Sequence, residues 1–258
     1  MVLKKITSYS VLICLLVFSN LAFGTEQKVR VLIFSGANNH NWQETTPELE
    51  RILKSDPKFE VTITDHPETI TAEELAQYDV IVSNWNCIRK PHLAWPEAVR
   101  RAFIQFVKNG GGHVMVHAGG SSFNDWAEYH EIAAYWGKDT GHGPIHEFKV
   151  KPTGSEHPIV QGIEPFVTTD ELWHGTCFPA TSTVLMSVFS SKDKGGSGKE
   201  EPVLTVNRFG KGRCVNFMLG HDGRAMKNAG FEVLLSRSVE WAVTGTITSV
   251  TKIKAQSP

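Results

Sequence analysis

The chain has 258 residues, 26 basic against 27 acidic side chains, and is 41% hydrophobic and 10% aromatic. That composition is globular and excludes disordered, collagen-like and coiled-coil architectures. With a formal charge of −1 and no run of Lys or Arg, the chain lacks the basic stripe by which a nucleic-acid binder is recognised, so no nucleic-acid partner is expected.

Lys4 and Lys5 precede an apolar run over residues 11–18, and Ala22 and Gly24 stand at the −3 and −1 positions of a cleavage after Gly24. Residues 1–24 are therefore predicted to be a secretory signal peptide, and the protein is expected to be exported, periplasmic or secreted. The run is well short of the ~20 apolar residues of a membrane span, so no stable span is expected after cleavage. Ile13 is too bulky to precede a lipidated Cys14. Removing two lysines and no acid takes the formal charge from −1 to −3 and leaves Cys87, Cys177 and Cys214. One disulfide plus a free thiol, or three buried thiols, both fit; a disulfide-rich scaffold does not.

From Val29 short apolar runs alternate with helical patterns, which predicts βαβ units and a mainly parallel sheet flanked by helices. Residues 29–34 (VRVLIF) read as a buried first strand. Thr45, Thr46 and Pro47 then offer a cap and a first-turn proline to a helix with Leu49, Ile52 and Leu53 on its apolar face. Strands follow at 59–63 and 79–83. A helix carries Trp95, Val99, Ala102, Phe103 and Phe106, with Pro96 in its first turn and Asn109-Gly110 as its stop. The fourth strand is 113–117 (HVMVH). The second half predicts a helix over 126–135 and strands at 148–150, 183–189, 203–206 and 213–219. Ser190 to Glu201 reads as a flexible surface loop, and a last helix with Phe231, Leu234, Leu235, Trp241 and Ala242 on one face stops at Gly245. One domain over 25–245, with a peripheral tail over 246–258, is the expected organisation.

In an open parallel α/β sheet, ligands bind beyond the carboxyl ends of the strands. The residues there are Asn38, Asn39, His40, Asn41 and Trp42 after the first strand, and Asn84, Trp85, Asn86 and Cys87 after the third. His117 and Gly119-Gly120 follow the fourth, and His221 and Asp222 follow Leu219. Polar loops are common, but amides, imidazoles and indoles converging on one rim suit a polyhydroxylated ligand, so a small carbohydrate is the expected partner. In GGGHVMVHAGG a strand runs into a glycine-flanked turn, as in a nucleophile elbow, with His117 at its tip. There it is either a general base or metal ligand, or a histidine hydrogen-bonded inside the sheet.

The segments NNHNWQETTP, GGGHVMVHAGGSSFNDWAEY, GHGPIHEF, SEHPIVQGI, TTDELWHG, GKGRCVNFMLGHDGRAM and VEWAVTG, in this order over roughly residues 29–245, resemble the ThuA-like (trehalose utilisation) family. The resemblance implies a flavodoxin-like, class I glutamine amidotransferase-like α/β fold and an association with sugar catabolism. An amidotransferase would carry a Cys at the elbow, where this chain has His117, so glutamine hydrolysis through a thioester is excluded. Cys87 follows a different strand and reads as a buried or loop thiol.

DELWHG supplies Asp170, Glu171 and His174, able to act as acid and base or as metal ligands; in the plainer reading Asp170 caps a turn and Glu171 pairs with a cation. The family motif keeps a His at His142, whereas His146 reads as surface and His157, before Pro158, as structural. His66, His92 and His130 have no motif support. A divalent metal such as zinc is compatible with His40, His117, His142, His174 and His221, although no close-spaced signature such as HExxH is present. The expectation is thus an exported enzyme acting on a glycoside or keto-sugar by hydrolysis, isomerisation or elimination. His117, Glu171 and His221 would be catalytic, with Asn39, His40, Trp42, Asn84, His142, His174 and Asp222 binding the ligand. A non-catalytic carbohydrate-binding envelope protein is the alternative.

Overall fold

The computed structural model describes residues 28–248; the predicted signal peptide and most of the predicted tail lie outside the described residues. In chain order the elements are β1 (Val29–Phe34), α1 (Trp42–Lys54), β2 (Phe59–Thr64), α2 (Ala72–Leu75), β3 (Val80–Ser83), α3 (Glu97–Lys108), β4 (Gly112–Val116) and α4 (Ala127–His130). Then come β5 (Gly141–His142), β6 (His146–Pro152), β7 (Phe166–Asp170), β8 (Trp173–His174), β9 (Thr183–Ser190), β10 (Lys199–Phe209), β11 (Gly212–Phe217), α5 (Gly223–Met226) and α6 (Ala229–Thr244).

Nine strands form one sheet in the order β2-β1-β3-β4-β11-β10-β9-β6-β7. The first five are parallel, because β1, β3 and β4 are apolar on both faces and must be covered on both. Their order is the flavodoxin-like doubly wound one, whose strand order switches between β1 and β3. The remaining strands pair antiparallel and extend the sheet through β10 and β9 to β6 and β7. α1 and α6 share one face. Gly112 leaves β4 toward Ala242 of α6, and the next residue, His113, points to the opposite face, against Phe103 of α3.

Three predicted elements are corrected. α1 begins at Trp42, with Asn41 as its cap residue, so Pro47 lies inside the helix. The Thr45 and Thr46 hydroxyls, read as caps, instead accept hydrogen bonds from Asn84 Nδ2, at 3.0 Å each, and Thr46 also pairs with Ser35. The helix expected over 126–135 is a single turn. Asn207 Nδ2 donates to the Glu131 and Ile132 carbonyls and Asn216 Oδ1 accepts from Ala134 N, so sheet side chains take the backbone groups that a longer helix would pair internally. Tyr135 then bridges Cys177. In the expected loop 190–201, Ser190 ends β9 and Lys199 opens β10, and buried Glu201 accepts from Gly175 N and Ser197 Oγ.

Residues 246–248 pack back on the fold, with Thr248 N donating to Glu240. Cys87, Cys177 and Cys214 are all free thiols; Cys87 and Cys214 are buried. No helix among the described residues is long and apolar enough to cross a membrane. Gly36, at φ 91°, lets β1 turn toward the site, because a Cβ there would lie 1.9 Å from the Asp65 carbonyl oxygen.

Candidate active site

Four histidines from four segments converge on the carboxylate of Glu171. The β1–α1 loop delivers His40, the end of β4 His117, β5 His142 and the segment after β11 His221. Glu171 Oε2 stands 3.4 Å from His117 Nε2 and 3.7 Å from His40 Nε2; Oε1 stands 3.0 Å from His142 Nδ1 and 3.8 Å from His221 Nε2. Trp173 Nε1 donates to Oε2 at 2.8 Å, and its ring lies 4.8 Å from that of His117. The His117 side chain is 1% exposed and that of Glu171 9%, whereas His221 is 24% and His142 40% exposed, so the cluster opens on the side of the last two.

Each group is held by its own segment. His117 has φ 36°, the only positive φ at a non-glycine among the described residues, as expected of the tip of an elbow. Its Nδ1–H donates to the Met218 carbonyl at 2.7 Å, which leaves Nε2 to face Glu171. Asn38 Oδ1 accepts from His40 N at 2.9 Å and from His40 Nδ1 at 3.2 Å, so Nε2 of that ring also faces the carboxylate. Asn86 Nδ2 fixes the loop by donating to Asn38, Asn39 and the Ala118 carbonyl. Asp170 is almost fully buried and accepts from Glu171 N (2.8 Å), His221 N (3.0 Å) and Gly220 N (2.7 Å), locking the end of β7 to the segment after β11.

The environment separates the protonation states. Burial opposes the charge on Glu171, but the histidines, His117 first, outweigh it and hold the carboxyl well below the usual range. Burial likewise opposes the charged form of His117, yet Glu171 and Asp170 raise its pKa. Burial, reinforced by the charge of His117, lowers His40 and His221. A carboxylate, a histidine that favours its proton and two that favour the neutral form therefore share one centre. Nitrogen and oxygen atoms of His40, Glu171 and His221 also lie within 4.8 Å of one another, a donor set that can hold a metal ion.

The other predicted ligand residues are placed differently. Asn84 is buried, with its amide bound to Thr45, Thr46 and Asn38. Asn39 accepts from Asn86, and Asp222 caps α5 by accepting from Ala225 N, with Oδ2 3.9 Å from His221 Nδ1. Trp42 is the first residue of α1. His174 lies against Gly141 across the β5–β8 ribbon, while its neighbour Trp173 points to Glu171. Trp173, at the start of β8 and two residues from Glu171 in DELWHG, joins the site through its hydrogen bond to that carboxylate, which the motif residues do not announce. The 420 Å³ hollow lined by Ala72, Tyr78, Phe106 and Gly111 lies near the start of β4, away from this cluster.

The family profile described as trehalose utilisation, ThuA, matches residues 30–242, and the chain belongs to that family. A ThuA-like protein from Parabacteroides merdae ATCC 43184 is 29% identical, with TM-score 0.77, over 87% of this chain and 93% of that one. A second, from Bacteroides uniformis ATCC 8492, is 20% identical, with TM-score 0.64, over 87% and 95%. A cold-adapted β-galactosidase from Rahnella sp. R3 shares the fold over 83% of this chain and 31% of its own, at 15% identity and TM-score 0.54. No curated protein matches. The large mixed sheet, parallel at its core in flavodoxin-like order and flanked by helices, is the α/β architecture expected from the sequence.

Proposed function

We propose that the protein is an exported enzyme of sugar catabolism that acts on an oxidised (keto) glycoside by acid–base chemistry of histidines. The observation that carries this reading is the convergence of four imidazoles on Glu171. A conventional glycosidase uses two carboxyl groups flanking the bond to be cleaved. Here the adjacent carboxylate, Asp170, is engaged by three backbone N–H groups and is not free for that work, and Asp222 caps α5. Imidazoles suit a substrate whose own carbonyl makes a neighbouring C–H acidic. His221 Nε2, neutral and at the open edge, takes that proton, and an imidazole–Glu171 pair returns one to the oxygen that becomes an enol or leaving hydroxyl. The same groups serve elimination, isomerisation or hydrolysis. His142, at the opening, contacts hydroxyl groups. The leader-like residues 1–24 and the family's trehalose-utilisation description support export and a sugar substrate.

The test is an NMR time course with a panel of keto-glucosides and their unoxidised parents. Turnover of a keto-glycoside that falls by about 10²–10⁴-fold in both Glu171→Gln and His221→Ala is expected. Undiminished turnover in those variants, or sugar binding without turnover of any compound, overturns the assignment.

A further inference from the structure

In the Glu171 cluster, two rings have their tautomer fixed from behind. His117 donates from Nδ1 to the Met218 carbonyl, and His40 donates from Nδ1 to Asn38 Oδ1. In the neutral His40 ring Nε2 then carries a lone pair that faces Glu171 Oε2 at 3.7 Å, whereas His117, which favours its proton, presents Nε2–H to the same oxygen at 3.4 Å. A lone pair aimed at an anion is repelled unless a cation lies between them. His117 Nε2, on a ring 1% exposed, has no hydrogen-bond partner of good geometry. A histidine whose far nitrogen donates to a backbone carbonyl or a side-chain oxygen is the arrangement that orients imidazoles toward metals.

We propose that His40, His221 and Glu171 bind one divalent transition-metal ion of zinc-like ligand preference. The proposal rests on the reading of this cluster as a reaction centre and changes one role in it: a ligated His221 Nε2 is no longer a base, so with the ion bound the proton passes to His142 at the opening. The three donor atoms lie within 4.8 Å of one another, with His40 and His221 Nε2 at 3.7 and 3.8 Å from Glu171. Donors in a tetrahedral zinc site stand about 3.4 Å apart, so ring adjustments of about 1 Å bring them to bonding distance. Two histidines and a glutamate form a ligand set that leaves a position for substrate or water, and imidazole nitrogens select zinc-type ions over magnesium or calcium. A bound ion would polarise the carbonyl of a keto-sugar. His117 is a positioning residue beside it.

The experiment titrates chelator-stripped protein with Zn²⁺ by calorimetry and with Co²⁺ by visible absorption. One ion per chain is expected, with Co²⁺ bands of four- or five-coordinate intensity and no comparable Mg²⁺ binding. A double His40→Ala/His221→Ala variant, shown to be folded by circular dichroism, should bind at least 100-fold more weakly. Asn38→Ala, which leaves all three ligands in place but frees the His40 ring and removes the loop's contacts to Asn84 and Asn86, should lose about 10–100-fold. If the double variant does not fold, Asn38→Ala and the Co²⁺ spectrum of Glu171→Gln carry the test. Absence of stoichiometric binding, or affinity and spectra unchanged in the variants, overturns the proposal. Full keto-glycoside turnover by metal-free protein together with no stoichiometric binding removes the ion and leaves the acid–base reading standing. One bound ion with no turnover removes the acid–base reading and leaves the ion site.

Discussion

Replacing Asp170 with Asn changes no shape, but it puts an amide where three backbone N–H groups now meet a carboxylate. The best orientation keeps Oδ1 on Glu171 N and His221 N and turns Nδ2 toward Gly220 N, whose present bond is 2.7 Å. Leaving that N–H unpaired costs about 1–3 kcal/mol, and weakening two charge-assisted bonds to neutral ones costs about 1 kcal/mol each. Burial opposes the Asp170 charge and raises its pKa, so removing the charge returns part of this. The net expectation is a loss of about 2–3 kcal/mol. Urea unfolding followed by tryptophan fluorescence measures it, and hydrogen exchange at Gly220 should accelerate. A loss below about 0.5 kcal/mol, or unchanged protection at Gly220, would refute the claim that Asp170 ties β7 to the segment carrying His221.

Three further outcomes are expected. His113 is wholly buried without hydrogen-bond partners, and burial lowers its pKa to about 3. Because the folded value lies below the unfolded 6.5, its contribution to stability is present above pH 6.5 and declines at up to about 1.4 kcal/mol per unit as pH falls toward 3. Urea midpoints for His113→Leu should therefore depend less on pH in that range than those of the parent. Gly36→Ala should destabilise by about 3 kcal/mol or more, since its Cβ meets the Asp65 carbonyl at 1.9 Å, and thermal melts will show it. Brief alkylation of native protein at neutral pH, read by mass spectrometry, should modify Cys177 and spare Cys87 and Cys214, whose thiols are pushed up by burial, the latter to about 12.

The parallel half of the fold was legible because doubly covered strands read as unbroken apolar runs, and their carboxyl ends located the loops bearing His40, His117 and His221. The misread elements were decided by distant partners. Thr45 and Thr46 look like caps until Asn84, from another strand, takes their hydroxyls. The stretch 126–135 looks helical until Asn207 and Asn216 claim its backbone. β7 was not anticipated, although alternate burial of Phe166, Thr168 and Asp170 marks it as a half-buried strand. At the site, motif residues indicated which histidines to consider. Local sequence could not show that Asn84 is spent on α1, that His174 turns away, or that Trp173 donates to Glu171.

Glu171 organises the histidines by its charge. It makes His117 a group with a raised folded pKa, so its stabilisation is full below pH 6.5 and lost as pH rises through the folded value. Glu171 is the converse: its depressed pKa gives a contribution present above pH 4.5 and lost as pH falls toward the folded value. The most direct measurement is an NMR titration of ¹³C-labelled histidine rings in chelator, comparing the parent with Glu171→Gln. His117 should titrate above 6.5 in the parent and at lower pH in the variant, where Asp170 and the Met218 carbonyl remain the chief groups opposing burial. A His117 titration that stays in place when the carboxylate is gone would contradict the account.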